Sequence, residues 1–345
     1  MSPCQPVFQA DNVAMPAPIV HIGFHKTATS WFQGAVYPQV TSHRLVDREL
    51  VRSVFMDGDA FDFDPAAARE ALGLEADPRP ALICEEELSG VLHIGAASTY
   101  IAKEVARRIH ATIPEAHIVI FVREQVDAAT SWYLQYVKEG GTASARRYLF
   151  PDEYLFPGRL MLFKTARFNF VQLDYSGLIE TYDRLFGRDR VHLFTYEELK
   201  EDSAKVIARM QQELGVEFIA DADIHAQRVN RAYRLGLLPI ARAMNGFTAR
   251  QVANKRTLLH LPFWFRARWE ILERLNALPL FGNRPRADAL LDGPTRAWIR
   301  DCFAASNAWL GARMGRDLRE LGYAVEQQTS VQPPRRNRWT RWSRM

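Results

Sequence analysis

Pro18-Ile19-Val20-His21-Ile22-Gly23-Phe24-His25-Lys26-Thr27-Ala28-Thr29-Ser30-Trp31 runs from an apolar, β-branched stretch through a glycine into a polar turn. The stretch to Phe24 is expected to be a short buried strand. The turn His25 to Ser30 follows, and Trp31-Phe32-Gln33-Gly34-Ala35-Val36 reads as the opening of a helix. Thr29 or Ser30 is placed to cap that helix, because its first amides lack intrahelical acceptors. A strand, a tight turn and a helix N-terminus together make an anion site, with free amides pointing outward and the positive end of the helix dipole beside them. Lys26 adds a full charge there, and the hydroxyls of Thr27, Thr29 and Ser30 add donors. The spacing of a Walker A loop, G-x-x-x-x-G-K-[ST], is absent.

Outward from this stretch, strands alternate with helices. Pro80-Ala81-Leu82-Ile83-Cys84 is a second buried strand and runs into Glu85-Glu86-Glu87. A helix is expected over 99–110. His117-Ile118-Val119-Ile120-Phe121-Val122 is a third strand, leading directly into Arg123-Glu124 and an amphipathic helix through Tyr136. Residues 140–168 read as a long functional loop. Helix 175–186, strand 190–194 and helix 197–214 follow. This alternation predicts a P-loop-like α/β fold, a parallel sheet flanked by helices, with a helical C-terminal extension. Ligands of such sheets sit at the carboxyl ends of the strands, where Lys26, Glu86 and Arg123 all fall.

The second motif is Phe121-Val122-Arg123, with Ser131 eight residues beyond the arginine on the following helix. Arginine offers phosphate a two-pronged fork and serine a hydroxyl donor. The two motifs in this order resemble the sulfotransferase superfamily, in particular its bacterial members that use 3'-phosphoadenosine 5'-phosphosulfate (PAPS). The first is similar to the family's 5'-phosphosulfate loop, written K-[ST]-G-[ST]-[ST]; the second is similar to its 3'-phosphate motif. Fainter similarities lie in Leu173-Asp174-Tyr175, Leu193 to Leu199, Ser306-Asn307, Asp317-Leu318 and Gly322-Tyr323.

The resemblance implies that Lys26 contacts the bridging oxygen and 5'-phosphate. It implies that the loop His25, Lys26, Thr27, Ala28, Thr29 and Ser30 holds the phosphosulfate, and that Trp31 stacks on adenine, although a tryptophan there suits a core equally well. Arg123 and Ser131 take the 3'-phosphate. Where this chain has Ala28 the family usually has glycine, so a positive φ at that position would be costly. Glu124-Gln125 likewise replace the usual Asn-Pro.

The implied reaction moves the sulfuryl group of PAPS to an acceptor hydroxyl, releases 3'-phosphoadenosine 5'-phosphate (PAP), and uses no metal. Transfer needs a base for the acceptor proton. By likeness to relatives with Ser-Ser-Glu after the corresponding strand, Glu86 takes that role, with His25 and His93 as rivals. The acceptor class implied is carbohydrate or glycolipid-like. Other readings are a nucleotide-dependent phosphotransferase, drawing Mg²⁺ ligands from Glu85–Glu87, and a non-catalytic nucleotide-binding protein acting through a basic tail.

Composition bounds these readings. Hydrophobic residues make up 48% and charged residues 24% of the chain, enough apolar material for a sizeable core. A formal net charge of +4 is too modest for a protein that coats nucleic acid, so no nucleic-acid partner is expected. Three scattered cysteines, Cys4, Cys84 and Cys302, suggest neither a disulfide framework nor zinc and fit a reducing compartment. Without a signal-peptide pattern or a long apolar run, the protein is expected to be soluble and cytoplasmic. The expected organisation is an N-terminal arm at 1–16, the sulfotransferase domain at 17–330 and a basic, disordered tail at 331–345. The basic C-terminal region could touch a membrane peripherally. The aromatic-basic stretch Phe263-Trp264-Phe265-Arg266-Ala267-Arg268-Trp269 is read as covering a core, with docking on a membrane surface as the alternative. The oligomeric state is left open.

Overall fold

The computed structural model describes residues 16–150, 167–219, 232–249, 252 and 257–326. Five strands, β1 (Ile19–Gly23), β2 (Arg44–Leu45), β3 (Ala81–Cys84), β4 (His117–Val122) and β5 (Val191–Thr195), form one sheet in the order β2-β3-β1-β4-β5. Every pairing is parallel. The chain builds β2 and β3 on one side of β1, then crosses to add β4 and β5 on the other. That reversal opens a crevice between the carboxyl ends of β1 and β4, the usual ligand position in such sheets.

Around the sheet lie α1 (Thr29–Trp31), α2 (Arg48–Phe55), α3 (Pro65–Ala71), α4 (Ala97–Thr112), α5 (Gln125–Lys138), α6 (Ala145–Leu149) and α7 (Tyr175–Phe186). The chain continues through α8 (Tyr196–Glu201), α9 (Ser203–Leu214), α10 (Leu237–Met244), α11 (Trp264–Ala277), α12 (Ala287–Leu290) and α13 (Gly293–Met314). Successive strand side chains point to opposite faces, so each strand feeds two cores. Val20, Ile22, Ile118, Ile120 and Val122 face one core, while Ile19, Val119, Phe121 and Phe194 face the other. Burial on both faces explains why these strands are nearly unbroken apolar runs.

The expected strands and the parallel sheet are present, and several details differ. The helix expected over 197–214 is two helices. Asp202 breaks it with an extended backbone, and its side chain accepts from the Lys205 amide to cap α9. The loop expected over 140–168 contains α6, capped by Ser144; residues 151–166 lie outside the described residues. So do most of the N-terminal arm and the basic tail. The stretch 263–269 does not cover a core: Phe263, Arg266 and Trp269 are exposed, and α11 buries only Arg268 and Leu272. The helix lies on the outside of α10, so one side of it meets protein and the rest meets solvent. Among the described residues no helix is long and apolar enough to cross a membrane.

Candidate active site

The loop after β1 is held in a conformation that side chains rarely adopt. Gly23 has φ 103°, and a Cβ there would lie 3.3 Å from the Glu86 Cα and the Ser89 hydroxyl, so the position requires glycine on two grounds. Lys26 and Ala28 also have positive φ, 63° and 75°. The structure corrects one expectation here. The residue preceding α1 is Ala28, which offers no side-chain cap. The Thr27 and Thr29 hydroxyls donate instead to the Phe24 carbonyl, tying the loop closed. The Ala28 carbonyl accepts from Trp31 and Phe32, so the amides of Thr29 and Ser30 precede the first intrahelical donors. Ser30 and Trp31 are half-buried, and Trp31 packs edge-on against Phe32 at the rim of the core on that face.

At the other side of the crevice, Arg123 follows β4 and donates to the Lys26 carbonyl at 3.1 Å. Its guanidinium lies 4.4 Å over the Tyr196 ring, and its own carbonyl accepts from the Tyr175 hydroxyl. Lys26 reaches across to α5, where its ammonium donates to Gln135 Oε1 at 3.1 Å. Ser131 is half-buried one helical turn before Gln135, on the same face of α5. The Gln135 amide nitrogen donates to Glu139 at 2.6 Å. The other Glu139 oxygen lies 3.2 Å from His93 Nε2, and His93 Nδ1 meets the Tyr148 hydroxyl at 2.9 Å.

Glu85, Glu86 and Glu87 follow β3, as expected, but with partners the sequence reading did not supply. Glu85 is fully buried and bonded by both Arg48 and Arg52 of α2. Burial pushes its carboxyl up, yet the two guanidiniums and the Glu87 amide prevail and hold it below its usual range. Burial raises Glu87. Arg48 also donates to one Glu86 oxygen at 2.8 Å, and Gln33 donates to the other at 3.4 Å. His25 Nε2 meets the Gly90 carbonyl. A carbonyl only accepts, so that nitrogen carries the proton and Nδ1 keeps its lone pair in the neutral ring. Burial lowers the His25 pKa, against the opposing pull of Glu86.

Electrostatically the crevice is short of an anion. Burial lowers the Lys26 pKa, and the neighbouring charges of Lys138 and Arg123 lower it further; Glu139 and Glu86 offset this in part. Among the described residues, Arg123 Nε is buried with no hydrogen-bond partner. Two cations facing each other, an unpartnered guanidinium donor and an amide-lined loop suit a polyanionic nucleotide such as PAPS. The structure thus brings Lys26, Arg123, Ser131, His25 and Glu86 to one end of the sheet. Gln33, Arg48, Gln135, Glu139 and Tyr196 were missed, since each acts through a partner distant in sequence.

Residues 101–231 match a family model described as a sulfotransferase domain, a span that includes Arg123 and Ser131 but not Lys26 or Glu86. No curated protein sequence matches the chain. Among solved structures, a sulfotransferase from Alicyclobacillus acidocaldarius superposes with a TM-score of 0.52 at 16% identity, covering 88% of this chain and 98% of its own. That likeness extends the shared fold beyond the matched span. Mouse sulfotransferase SULT7A1 complexed with PAP aligns over 87% of this chain and 90% of its own, at 13% identity and a TM-score of 0.38.

Proposed function

We propose that this chain is a sulfotransferase that moves the sulfuryl group of PAPS to a hydroxyl of a carbohydrate or glycolipid-like acceptor. The observation that carries the donor half of this reading is the paired placement of Lys26 and Arg123 at the β1–β4 crevice, with Arg123 Nε unpartnered. PAPS, when bound, supplies an activated sulfuryl group and leaves as PAP.

The chain's own residues divide the work. Lys26 and the loop His25 to Ser30 neutralise the phosphosulfate, Trp31 flanks the adenine, and Arg123 with Ser131 takes the 3'-phosphate. Gln135 orients the Lys26 ammonium. Glu139 takes the Gln135 amide hydrogens, so the amide oxygen is the atom left to face the lysine. Glu86 accepts the proton of the acceptor hydroxyl, its carboxylate aimed by Arg48 and Gln33. A second reading gives that proton to His25. Its Nδ1 keeps a lone pair and burial favours the neutral ring, the form a base requires. His93, engaged by both Tyr148 and Glu139, suits the outer wall of the site better. Cys84 and Cys302 are held as thiols rather than in a disulfide, in accord with a cytoplasmic setting, and 17–330 is taken as the working domain.

The test is calorimetric titration with PAP, beside ATP with Mg²⁺, on the wild type, Arg123→Ala and Glu86→Gln. PAP is expected to bind in preference to ATP, and Arg123→Ala to weaken it by roughly tenfold or more, the scale of one lost charge-assisted fork. Glu86→Gln is expected to keep PAP affinity while losing about 100-fold or more in turnover. Metal-dependent ATP binding with no response to PAP would move the chain to the phosphotransferases. Near-normal turnover of Glu86→Gln would pass the base to His25.

A further inference from the structure

Among the described residues, eleven of the fourteen exposed large hydrophobic side chains fall between Leu235 and Leu280, on and around α10 and α11. Phe263 is 88% exposed, Leu258 78% and Leu280 73%, with Trp269 and Ile271 exposed on α11 between them. Single exposed apolar residues need no explanation, but a concentration of this kind marks a surface that meets something.

The surface is held by defined bonds. α10 and α11 run antiparallel: the Gly236 amide donates to the Phe281 carbonyl at one end, and Trp264 Nε1 donates to the Met244 carbonyl at the other. The apolar loop before α11 is tied down where Leu258 and Leu261 donate to the Gly246 and Phe247 carbonyls, at 2.7 and 3.1 Å. The pair is fixed in turn to the C-terminal end of α5. Asn245 donates to the Val137 and Gly141 carbonyls, Arg268 donates to that of Lys138, and Glu273 pairs with the Lys138 ammonium at 3.1 Å. The apolar side chains are thus presented outward from an anchored platform.

Charge decides the occupant. Between Thr257 and Arg286 the exposed charged side chains are Arg266, Arg274, Arg284 and Arg286 against Glu270 alone. A second copy placed on this face would bring two sets of arginines together with one exposed carboxylate each to offset them. An anionic lipid surface offers phosphates to the arginines and an acyl boundary to the leucines and aromatics. We propose that the α10–α11 face docks the protein on a bilayer that carries anionic phospholipid. The platform adjoins Lys138, on the same helix as Gln135, and so sits beside the element that meets Lys26. The inference does not depend on the donor reading, and PAP binding in solution is unaffected by its failure.

The full chain is sedimented with phosphatidylcholine vesicles, with and without phosphatidylglycerol. The wild type is compared with Leu258→Asp/Phe263→Asp and with Arg266→Glu/Arg274→Glu. All four positions are exposed, so both variants are expected to fold, with unchanged circular dichroism and PAP affinity. The wild type is expected to bind the phosphatidylglycerol vesicles, less so as salt rises, and each variant to lose roughly tenfold or more of that binding. Equal binding to both vesicle types, or equal binding by all three proteins, overturns the proposal. So does absence of vesicle binding, whether the protein is monomeric or forms a dimer that Leu258→Asp/Phe263→Asp dissociates.

Discussion

Ala28 stands at φ 75° and ψ 18°, in the left-handed region where a Cβ crowds the backbone, immediately before the helix that opens the anion loop. The related loop pattern has glycine at this position, and the structure supplies the reason: the turn requires the conformation whichever residue occupies it. Alanine holds it because the neighbouring residues over-determine the loop, with Thr27 and Thr29 both bonded to the Phe24 carbonyl. Ala28→Gly relieves the strain but gives the unfolded chain more freedom, and the two effects oppose each other. The net gain is expected to be up to about 1 kcal/mol, read as a higher denaturant midpoint at unchanged slope. A loss of stability would mean that the Ala28 methyl makes contacts worth more than the strain.

At the scale of an element, α5 links the two halves of the site: it starts just after Arg123 and meets Lys26 through Gln135. Its N-cap is Glu124, whose side chain accepts from the Asp127 amide at 2.9 Å. Burial raises the Glu124 pKa to about 7, opposed by that amide and by Arg300. The sign follows from linkage. A carboxyl near 4.5 in the unfolded chain and about 7 in the folded one keeps its proton longer when folded. Stability therefore falls as pH rises between those values and is level beyond them. Measured against Glu124→Gln, which does not titrate, the wild type is expected to lose on the order of 3 kcal/mol across that window. Parallel stability–pH curves for the two proteins would show that the Glu124 carboxyl ionises as freely when folded as when unfolded.

At the scale of the molecule, the C-terminal helix α13 closes onto α5 through a buried pair of amides. Gln125 Nε2 donates to Asn307 Oδ1 at 2.7 Å, and Asn307 Nδ2 donates back at 3.1 Å and also to the Ala324 carbonyl. Beyond α13, the Tyr323 hydroxyl donates to Glu197, whose other oxygen accepts from the Glu124 amide. Residues from the far end of the chain thus brace the start of α5, beside Arg123. Asn307→Leu leaves Gln125 and the Ala324 carbonyl unsatisfied in the interior and is expected to cost about 2–4 kcal/mol. PAP affinity should fall along with thermal stability, because α5 loses its brace. Intact PAP affinity in a destabilised variant would confine α13 to a purely structural role.

The sequence by itself determined the parallel α/β sheet and three of the strand ends that carry charge. The strands β1, β3 and β4 are buried on both faces, so their apolar runs are visible without knowing their neighbours, and Lys26, Glu86 and Arg123 sit where those runs stop. β2 spans two residues and α2 and α3 only eight and seven, too short to stand out in the sequence, and with them went Arg48 and Arg52. Tertiary structure alone decided that Glu86 is aimed by an arginine from α2, and that Lys26 is held by Gln135, 109 residues away. It also decided that the aromatic-basic helix faces outward. Local patterning records whether a residue prefers burial, whereas a hydrogen bond between distant segments, or the face a helix turns to solvent, depends on what the rest of the chain places beside it.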